Sequence, residues 1–397
     1  MKILTTHNYY GSGVPSGENM VFAAERALLQ KNKHAVDSFT RHSDEIKGKN
    51  ITGKIQGALS TVWNPWMTHA IVKKIESFKP DIVHVHNTFP LLSPGIFPAI
   101  GKKSARVLTL HNYRIACPAG IPLRQGKVCT QCLDKQSTIP ALIHGCYRES
   151  RIATVPLALS VSIHRKLGTW INDVDAFICL STFQRDLMIK YGLPSRKLHV
   201  KPNFYPGNPV VIKWSERKPY VVFAGRLTAE KGVLNLIRAW QAWGSEAPEL
   251  RLIGDGELRS ELERMTAGLP VRFLGSLNHE DTLAQIASSR LLVLASECLE
   301  TFGLVVVEAF AHGTPAAVSN LGSLPSIVQH GQSGFVFQPS DPLSLLHEVR
   351  TAWETPGLLE STAQGARREF ENKYTEEANY TSLMDIYQQA IKVSRNG

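Results

Sequence analysis

Residues 296–315 read SECLETFGLVVVEAFAHGTP, which sets Glu300 and Glu308 eight positions apart around a glycine and a short apolar run. The preceding LLVLAS, 291–296, has the length of a buried strand. ECLETFG is then a loop, and LVVVEAFAHG a helix closed by Gly313, with Pro315 opening the next strand. In such a helix the first N–H groups, around Phe302, Gly303 and Leu304, lack intrahelical acceptors and form the positive dipole end, which attracts phosphate. Glu300 is then placed beside a bound phosphate to accept hydrogen bonds from sugar hydroxyls. Glu308, two turns on, is placed toward a ribose diol. Taken alone, the pair is better read as a dipole-complementing carboxylate and a surface acid, because two glutamates at one spacing are common.

Outward from this stretch, apolar runs alternate with helical ones along the whole chain. Strands are expected at 2–6, 81–86, 106–110 and 176–181, the first set ending in LHVKPNF at 198–204, then at 220–225, 250–256, 271–275, 291–296 and 314–319. Near-continuous apolar runs of this kind belong to α/β domains whose parallel strands are covered on both faces. The pattern pauses at YPGNPVVIKWSERKP, 205–219, a Pro/Gly-rich and charged linker. The expected architecture is two Rossmann-like domains, 1–205 and 219–375, joined by a linker at 206–218, as suits a chain of 397 residues. Ligands then bind at the carboxyl ends of strands and in the crevice between domains. Arg226 and Lys231 follow the 220–225 strand, where a fork and a point charge can grip a diphosphate. Either residue alone is better read as a solvated helix start. The Gly254-Asp255-Gly256 turn is equally a site of close nucleotide approach and a plain loop.

An apolar share of 43% and a charged share of 20% describe an ordinary globular protein. No run reaches the roughly 18 to 20 apolar residues of a spanning helix, and Met1 leads into KILTTHNYY without a signal-peptide core, so a cytoplasmic location is expected. The net charge of +10 is unevenly spread: residues 1–205 hold 27 Lys+Arg against 12 Asp+Glu, or +15, and the remainder is −5. With no nucleic-acid-binding signature in the chain, that excess points to phosphorylated substrates or an anionic membrane face. Residues 54–79 carry Trp63, Trp66 and Met67 near Lys73 and Lys74, a mixture suited to a headgroup interface on the inner face of the membrane. The alternative is a buried amphipathic helix with core tryptophans.

Taken together and in this order, Arg226-x4-Lys231, the Gly-Asp-Gly turn, FLG at 273–275 and ETFGLVVVEAFAHGTPAAVS at 300–319 resemble the retaining glycosyltransferases of family 4. The resemblance implies a GT-B fold, two facing Rossmann-like domains with a cleft between them, and a last helix, 376–397, that crosses back onto the first domain. It implies that Arg226 and Lys231 neutralise the diphosphate of a nucleotide-sugar donor and that Glu308 binds the ribose. Glu300 and the N–H groups of Phe302 and Gly303 would hold the sugar, with Leu304 and Gly254 lining the donor. His111 resembles the histidine directed at the donor sugar from the first domain; a hydrogen-bonded histidine at a strand end is the equal alternative. YGSGVPSGEN, 10–19, resembles the family's glycine loop, with Gly17 the stronger carry-over than Gly11 or Gly13. No catalytic metal is implied, since the two cations take its place. The implied reaction moves a sugar with retention to a hydroxyl of a glycan or lipid-linked acceptor, in cell-surface polysaccharide or glycolipid synthesis. A GT-B sugar-nucleotide epimerase and a non-catalytic sugar-nucleotide sensor are the alternatives.

The segment 112–150 stands apart. Cys117, Cys129, Cys132 and Cys146 fall there with spacing C-x11-C-x2-C-x13-C. In a cytoplasmic chain such a set is a closed zinc site or four separately packed thiols, with an iron–sulfur cluster less favoured. Cys179 and Cys298 lie in or beside strands and are assigned to the core.

Overall fold

A computed structural model describes residues 1–11, 16–46 and 51–396, apart from the side chains of 51–56 and 396. Gly13 of the predicted glycine loop lies outside the described residues. The chain divides into two compact units. One comprises Met1–Pro122, Cys129–Pro202 and Asn379–Gly397; the other comprises Leu123–Val128 and Asn203–Ala378.

The first unit is built on a six-stranded sheet of β1 (Lys2–Tyr9), β2 (Ala35–His42), β3 (Ile82–Asn87), β4 (Ala105–Thr109), β5 (Ala176–Cys179) and β6 (Leu198–Val200), in the order β2-β1-β3-β4-β5-β6. All pairings are parallel, with Ile3 opposite both Val36 and Ile82. Its apolar core joins Ile3, Ile82, Val107 and Ile178 to Leu383, Ile386, Tyr387 and Ala390 of the helix Glu376–Asn396. The spacing of those last four residues puts them on one helical face, and that face is buried on the sheet. Strand β2 has no counterpart among the strands expected from sequence. As an edge strand it is half-buried along most of its length and its residues are largely polar, so no apolar run marks it.

The second unit carries β7 (Tyr220–Ala224), β8 (Glu249–Ile253), β9 (Val271–Gly275), β10 (Leu291–Leu294), β11 (Ala316–Ser319) and β12 (Gly334–Phe337), ordered β9-β8-β7-β10-β11-β12. This is a doubly wound order that reverses between β7 and β10, which pair through Leu291 and Val221. Connections leave these two strands toward opposite edges, the topology at which open α/β sheets bind ligands outside the carboxyl ends of their strands. Strand β12, four residues long, is likewise one that the sequence did not announce.

Two glycines let the chain pack tightly at those ends. Gly232 has φ +66°, and a Cβ there would lie 1.8 Å from the Ala295 carbonyl oxygen. Gly254, at φ +133°, faces the Gly225 carbonyl oxygen, which a Cβ would meet at 1.9 Å. The glycines of the Gly-Asp-Gly turn are therefore required by backbone packing within the unit itself. Replacing Gly232 by Ala forces both strain and a backbone clash, so thermal unfolding should show a loss of about 2 kcal/mol or more, roughly 4–8 °C in Tm. Gly357→Ala serves as the comparison: φ is +76° but nothing lies within 4 Å of a Cβ, so only the conformational cost of about 1–2 kcal/mol remains. Equal shifts for the two variants would overturn the packing argument.

Candidate functional site

In the second unit the predicted residues gather at the sheet's switch point. Lys231 lies in the turn after β7 and Glu300 in the loop after β10, and Lys231 Nζ donates to Glu300 Oε1 at 2.7 Å. Ser296 Oγ donates to the same oxygen at 2.7 Å. Burial by itself would push the Glu300 carboxyl up, but Lys231, Ser296 and the nearby Arg226 hold it below the usual carboxylate range. Burial likewise works against the Lys231 ammonium, and Glu300 more than offsets it. Arg226 is placed differently. Its guanidinium pairs with Glu230 at 2.8 Å, one helical turn on, and is 54% exposed, so it is free to turn toward a ligand.

The helix Leu304–Ala311 starts beside this ion pair. Gly303 sits before it at φ +113°, and a Cβ there would press on Leu324 at 2.8 Å. Ser323 Oγ donates to the carbonyl oxygens of Glu300 and Phe302 at 2.8 and 3.0 Å, which fixes the approach of the loop to the helix. The N–H groups of Phe302, Gly303 and Leu304 find no acceptor among the described residues. They form an anion-binding terminus one loop away from Lys231. Glu308, further along the helix, is buried, and burial raises its carboxyl to about 7; the nearest ring nitrogen, Nε2 of His279, is 4.0 Å away.

In the first unit Gly17 is the first residue of the helix Gly17–Lys31 and is exposed. His111 follows β4 and is buried, with its Nε2 3.0 Å from His86 Nδ1. Burial, reinforced by His86 and His7, holds its imidazole well below the usual histidine range. Behind it lies a charge network that sequence reading missed. Lys201 Nζ donates to Glu25 Oε2 at 2.8 Å, and the other oxygen lies 3.1 Å from His84 Nδ1 and 3.3 Å from His86 Nε2. Glu25, His84 and His86 have their ligand atoms within 4.8 Å of one another, but the Lys201 ammonium already stands where a cation would neutralise the carboxylate. The C-terminal helix closes the network: Asn379 accepts from Lys201 at 3.3 Å, and the Tyr387 hydroxyl is 2.8 Å from His84 Nδ1. Two signals were present in the sequence. HVH on a strand puts both histidines on one face, and Glu25 interrupts an apolar helix face of Val21, Phe22, Leu28 and Leu29. A cavity of about 60 Å³ opens at the carboxyl ends of β3 and β4, lined among others by His86, Phe89, His111, Asn112 and Arg114.

None of the six cysteines is in a disulfide. Cys117 and Cys132 are buried, Cys129 and Cys146 half-buried, and all four belong to the first unit. Cys179 and Cys298 are both buried; Cys179 ends β5, whereas Cys298 lies in the loop after β10, where its thiol donates to Glu300 Oε1 at 3.9 Å. The stretch 54–79 is two helices, 51–62 and Pro65–Phe78, broken at Asn64, whose side chain caps the second. Trp63 stacks on His164 while Trp66 is 64% exposed. Among the described residues no helix is long and apolar enough to cross a membrane.

Comparison with known proteins joins these parts. A family model for glycosyltransferase family 4 matches residues 17–206, and one for group 1 glycosyl transferases matches 208–369. A glycosyltransferase of Methanocaldococcus jannaschii is 32% identical over 381 residues, 92% of each chain. The sulfoquinovosyl transferase of Arabidopsis thaliana is 28% identical over 329 residues, which span 79% of this chain and 57% of that one. Among solved structures, Anabaena HepE in complex with UDP-glucose superposes with a TM-score of 0.64 at 19% identity, covering 98% of this chain and all of that one, 100%.

The buried pair sets a stability test within the first unit. Removing one partner leaves the other as an uncompensated buried charge, so Lys201→Met should cost about 3–5 kcal/mol in urea unfolding. Glu25→Gln with Lys201→Met should cost clearly less than the two single losses added, because neither charge is then stranded. Strict additivity would show that the two groups do not act as a pair.

Proposed function

Since the chain belongs to the group 1 glycosyltransferases of family 4, we propose that it transfers a sugar, with retention of configuration, from a nucleotide-diphosphate sugar to a hydroxyl of a glycan or lipid-linked acceptor. The observation that carries the donor assignment is the Lys231–Glu300 pair beside the free N–H groups of Phe302, Gly303 and Leu304. Cations and helix terminus receive the diphosphate, while Glu300, held ionised, accepts hydrogen bonds from the sugar. UDP-glucose in the HepE complex is in keeping with a donor of this class. Glu300 is already engaged by Lys231 and Ser296, which favours front-face displacement over a carboxylate nucleophile. The bond from the anomeric carbon to the diphosphate oxygen breaks, the acceptor oxygen bonds to the same face, and its proton passes to the departing phosphate. Arg226 and Lys231 stabilise the charge that develops there, so no catalytic metal is required. The named relatives are transferases, which favours transfer over epimerisation.

The site predicts a measurable pH dependence. Glu308, poised at about 7, is proposed to accept the ribose hydroxyls as a carboxylate. Donor binding then releases a proton, and affinity for nucleoside diphosphates falls as pH drops through 7 and levels off above it. In an assay with labelled nucleotide sugar, with and without acceptor, Lys231→Ala and Glu300→Gln should lower transfer at least about 100-fold. Glu308→Gln should instead weaken binding and flatten its pH profile. Near-normal transfer by Lys231→Ala removes the diphosphate assignment, and sugar conversion without acceptor replaces transfer with epimerisation.

A membrane-proximal acceptor is supported by the surface of the first unit. Helices 51–62 and Ile139–His144 both pack on the helix Arg151–Lys166. Their outward faces leave Leu59, Ile139 and Ile143 exposed, with Ile152 at 86% exposure and Val155 and Leu159 on the same helical face. Exposed Arg148 and Arg151 border it. An apolar face rimmed by arginines, in a basic half-chain, suits the surface of an anionic bilayer. Sedimentation with anionic liposomes at low salt should exceed that with neutral ones and fall in Ile152→Ser/Leu159→Ser. Equal sedimentation with both kinds of liposome would count against the electrostatic part.

A further inference from the structure

The fold draws the four thiols of the 112–150 segment toward one another through backbone contacts. Cys117 heads a turn to Gly120, closed by the Gly120 N–H on the Cys117 carbonyl at 2.8 Å and latched by the Tyr113 N–H on the Gly120 carbonyl at 3.0 Å. Inside it, the Cys117 thiol donates to the Ile121 carbonyl at 3.8 Å. Gly120 reaches this geometry at φ +83°, where a Cβ would meet the Arg114 guanidinium at 2.8 Å. The segments that carry Cys132 and Cys146 are tied to one helix. Cys146 gives its N–H to the Ala141 carbonyl at 3.1 Å, and His144 Nε2 lies 3.3 Å from Gln131 Oε1, next to Cys132. Cys146 directly follows Gly145, the left-handed residue that ends the helix Ile139–His144. Cys129, two residues before the short helix Gln131–Asp134, is anchored by its N–H on the Pro122 carbonyl at 3.0 Å. Burial pushes the Cys117 thiol up to about 12 and the Cys132 thiol up to about 11, with Cys132 and Cys146 adding to the first and Cys146 and Cys129 to the second, so a bound cation is what would let them ionise.

We propose that Cys117, Cys129, Cys132 and Cys146 bind one zinc ion as a closed structural site. An all-sulfur donor set selects a soft or borderline metal, and four thiolates around Zn²⁺ leave no open position for chemistry. No three of the sulfurs lie within 4.8 Å of one another, so binding draws side chains inward until the S–S edges reach about 3.8 Å, as Zn–S bonds of about 2.3 Å require. The backbone around Cys117, Cys132 and Cys146 is already held, and the side-chain torsions supply the rest. Zinc here would fix the segment that carries Asn112, Arg114 and Ile115 into the wall of the first unit's cavity. The proposal is independent of the donor assignment, because its ligands and its readouts lie outside the second unit.

Elemental analysis of the intact protein, purified under reducing conditions without chelators, should find one zinc per chain. Zinc absorption spectroscopy should give four sulfur neighbours at about 2.3 Å. Cys129→Ser/Cys132→Ser should lose the metal, while Cys179→Ala keeps it. If the double variant does not fold, the wild-type chain decides: after zinc is removed with a chelator, added Co²⁺ should produce thiolate-to-metal charge-transfer absorption saturating at one equivalent. Absence of stoichiometric zinc together with no cobalt–thiolate absorption overturns the proposal. Iron with inorganic sulfide overturns it in favour of a cluster, and zinc retained by the double variant overturns the ligand set.

Discussion

Lys231 and Glu300 are 69 residues apart in the chain and meet at 2.7 Å because β7 and β10 are hydrogen-bonded neighbours at the point where the doubly wound sheet reverses. The rest of the second unit's site hangs on that meeting. Gly232 lets the turn that carries Lys231 lie against the Ala295 carbonyl at the end of β10. Ser323, from the connection after β11, holds the carbonyls of Glu300 and Phe302 and so fixes the angle at which the next helix starts. The ion pair is partly buried, where attraction between charges is stronger than in water and where either charge alone would be costly. An anionic ligand that draws Lys231 away neutralises the ammonium but leaves Glu300 without its partner. A ligand that also brings hydroxyls to Glu300 satisfies both, and a sugar diphosphate has both groups.

How much of this was legible in the sequence depended on whether local pattern or tertiary pairing decided it. The stretch 291–319 was readable because its apolar runs have strand and helix lengths and its glycines and proline punctuate them. β2 and β12 were not, being an edge strand of mostly polar residues and a four-residue strand. Arg226 and Lys231 looked equivalent as a pair of cations at a strand exit. In the structure one reaches across to Glu300 while the other lies outward on Glu230, a difference set by β10 and invisible in a spacing. The Gly-Asp-Gly turn shows the converse. Gly254 and Gly256 were read equally as a site of ligand approach and as a plain loop, and each is needed because a carbonyl of the loop after β7, that of Gly225 or Leu227, occupies the space of its Cβ.

The first unit rests on a different solution to buried charge. Glu25 and Lys201 come from the first helix and from the end of β6, and their partners include Asn379 and Tyr387 of the last helix. A buried ion pair is weak support for stability, but it punishes any arrangement that separates its members. Here it demands that the C-terminal helix sit in one register on the sheet, with Leu383, Ile386 and Ala390 packed below the polar contacts. The neutral histidines extend the same demand outward, since His86 lies against both Glu25 and His111. The position of His111 at the cavity is thus tied to residues nearly 280 positions away in sequence.

The two glutamates of the opening stretch share a spacing and little else. Glu300 has a lysine, a serine hydroxyl and a nearby arginine, and stays ionised although it is partly buried. Glu308 has burial without a close cation, and its carboxyl rises to about 7. Environments that push two acids apart in this way give them different work. Glu300 is a permanent anion whose charge orders Lys231 before any ligand arrives. Glu308 carries its proton for part of the time near neutrality. In the proposed donor site the cost of burying that second charge is deferred until hydroxyl groups are present to meet it, so that Glu308 would select a ligand with hydroxyls in place, where Glu300 would select nothing until Lys231 is engaged elsewhere.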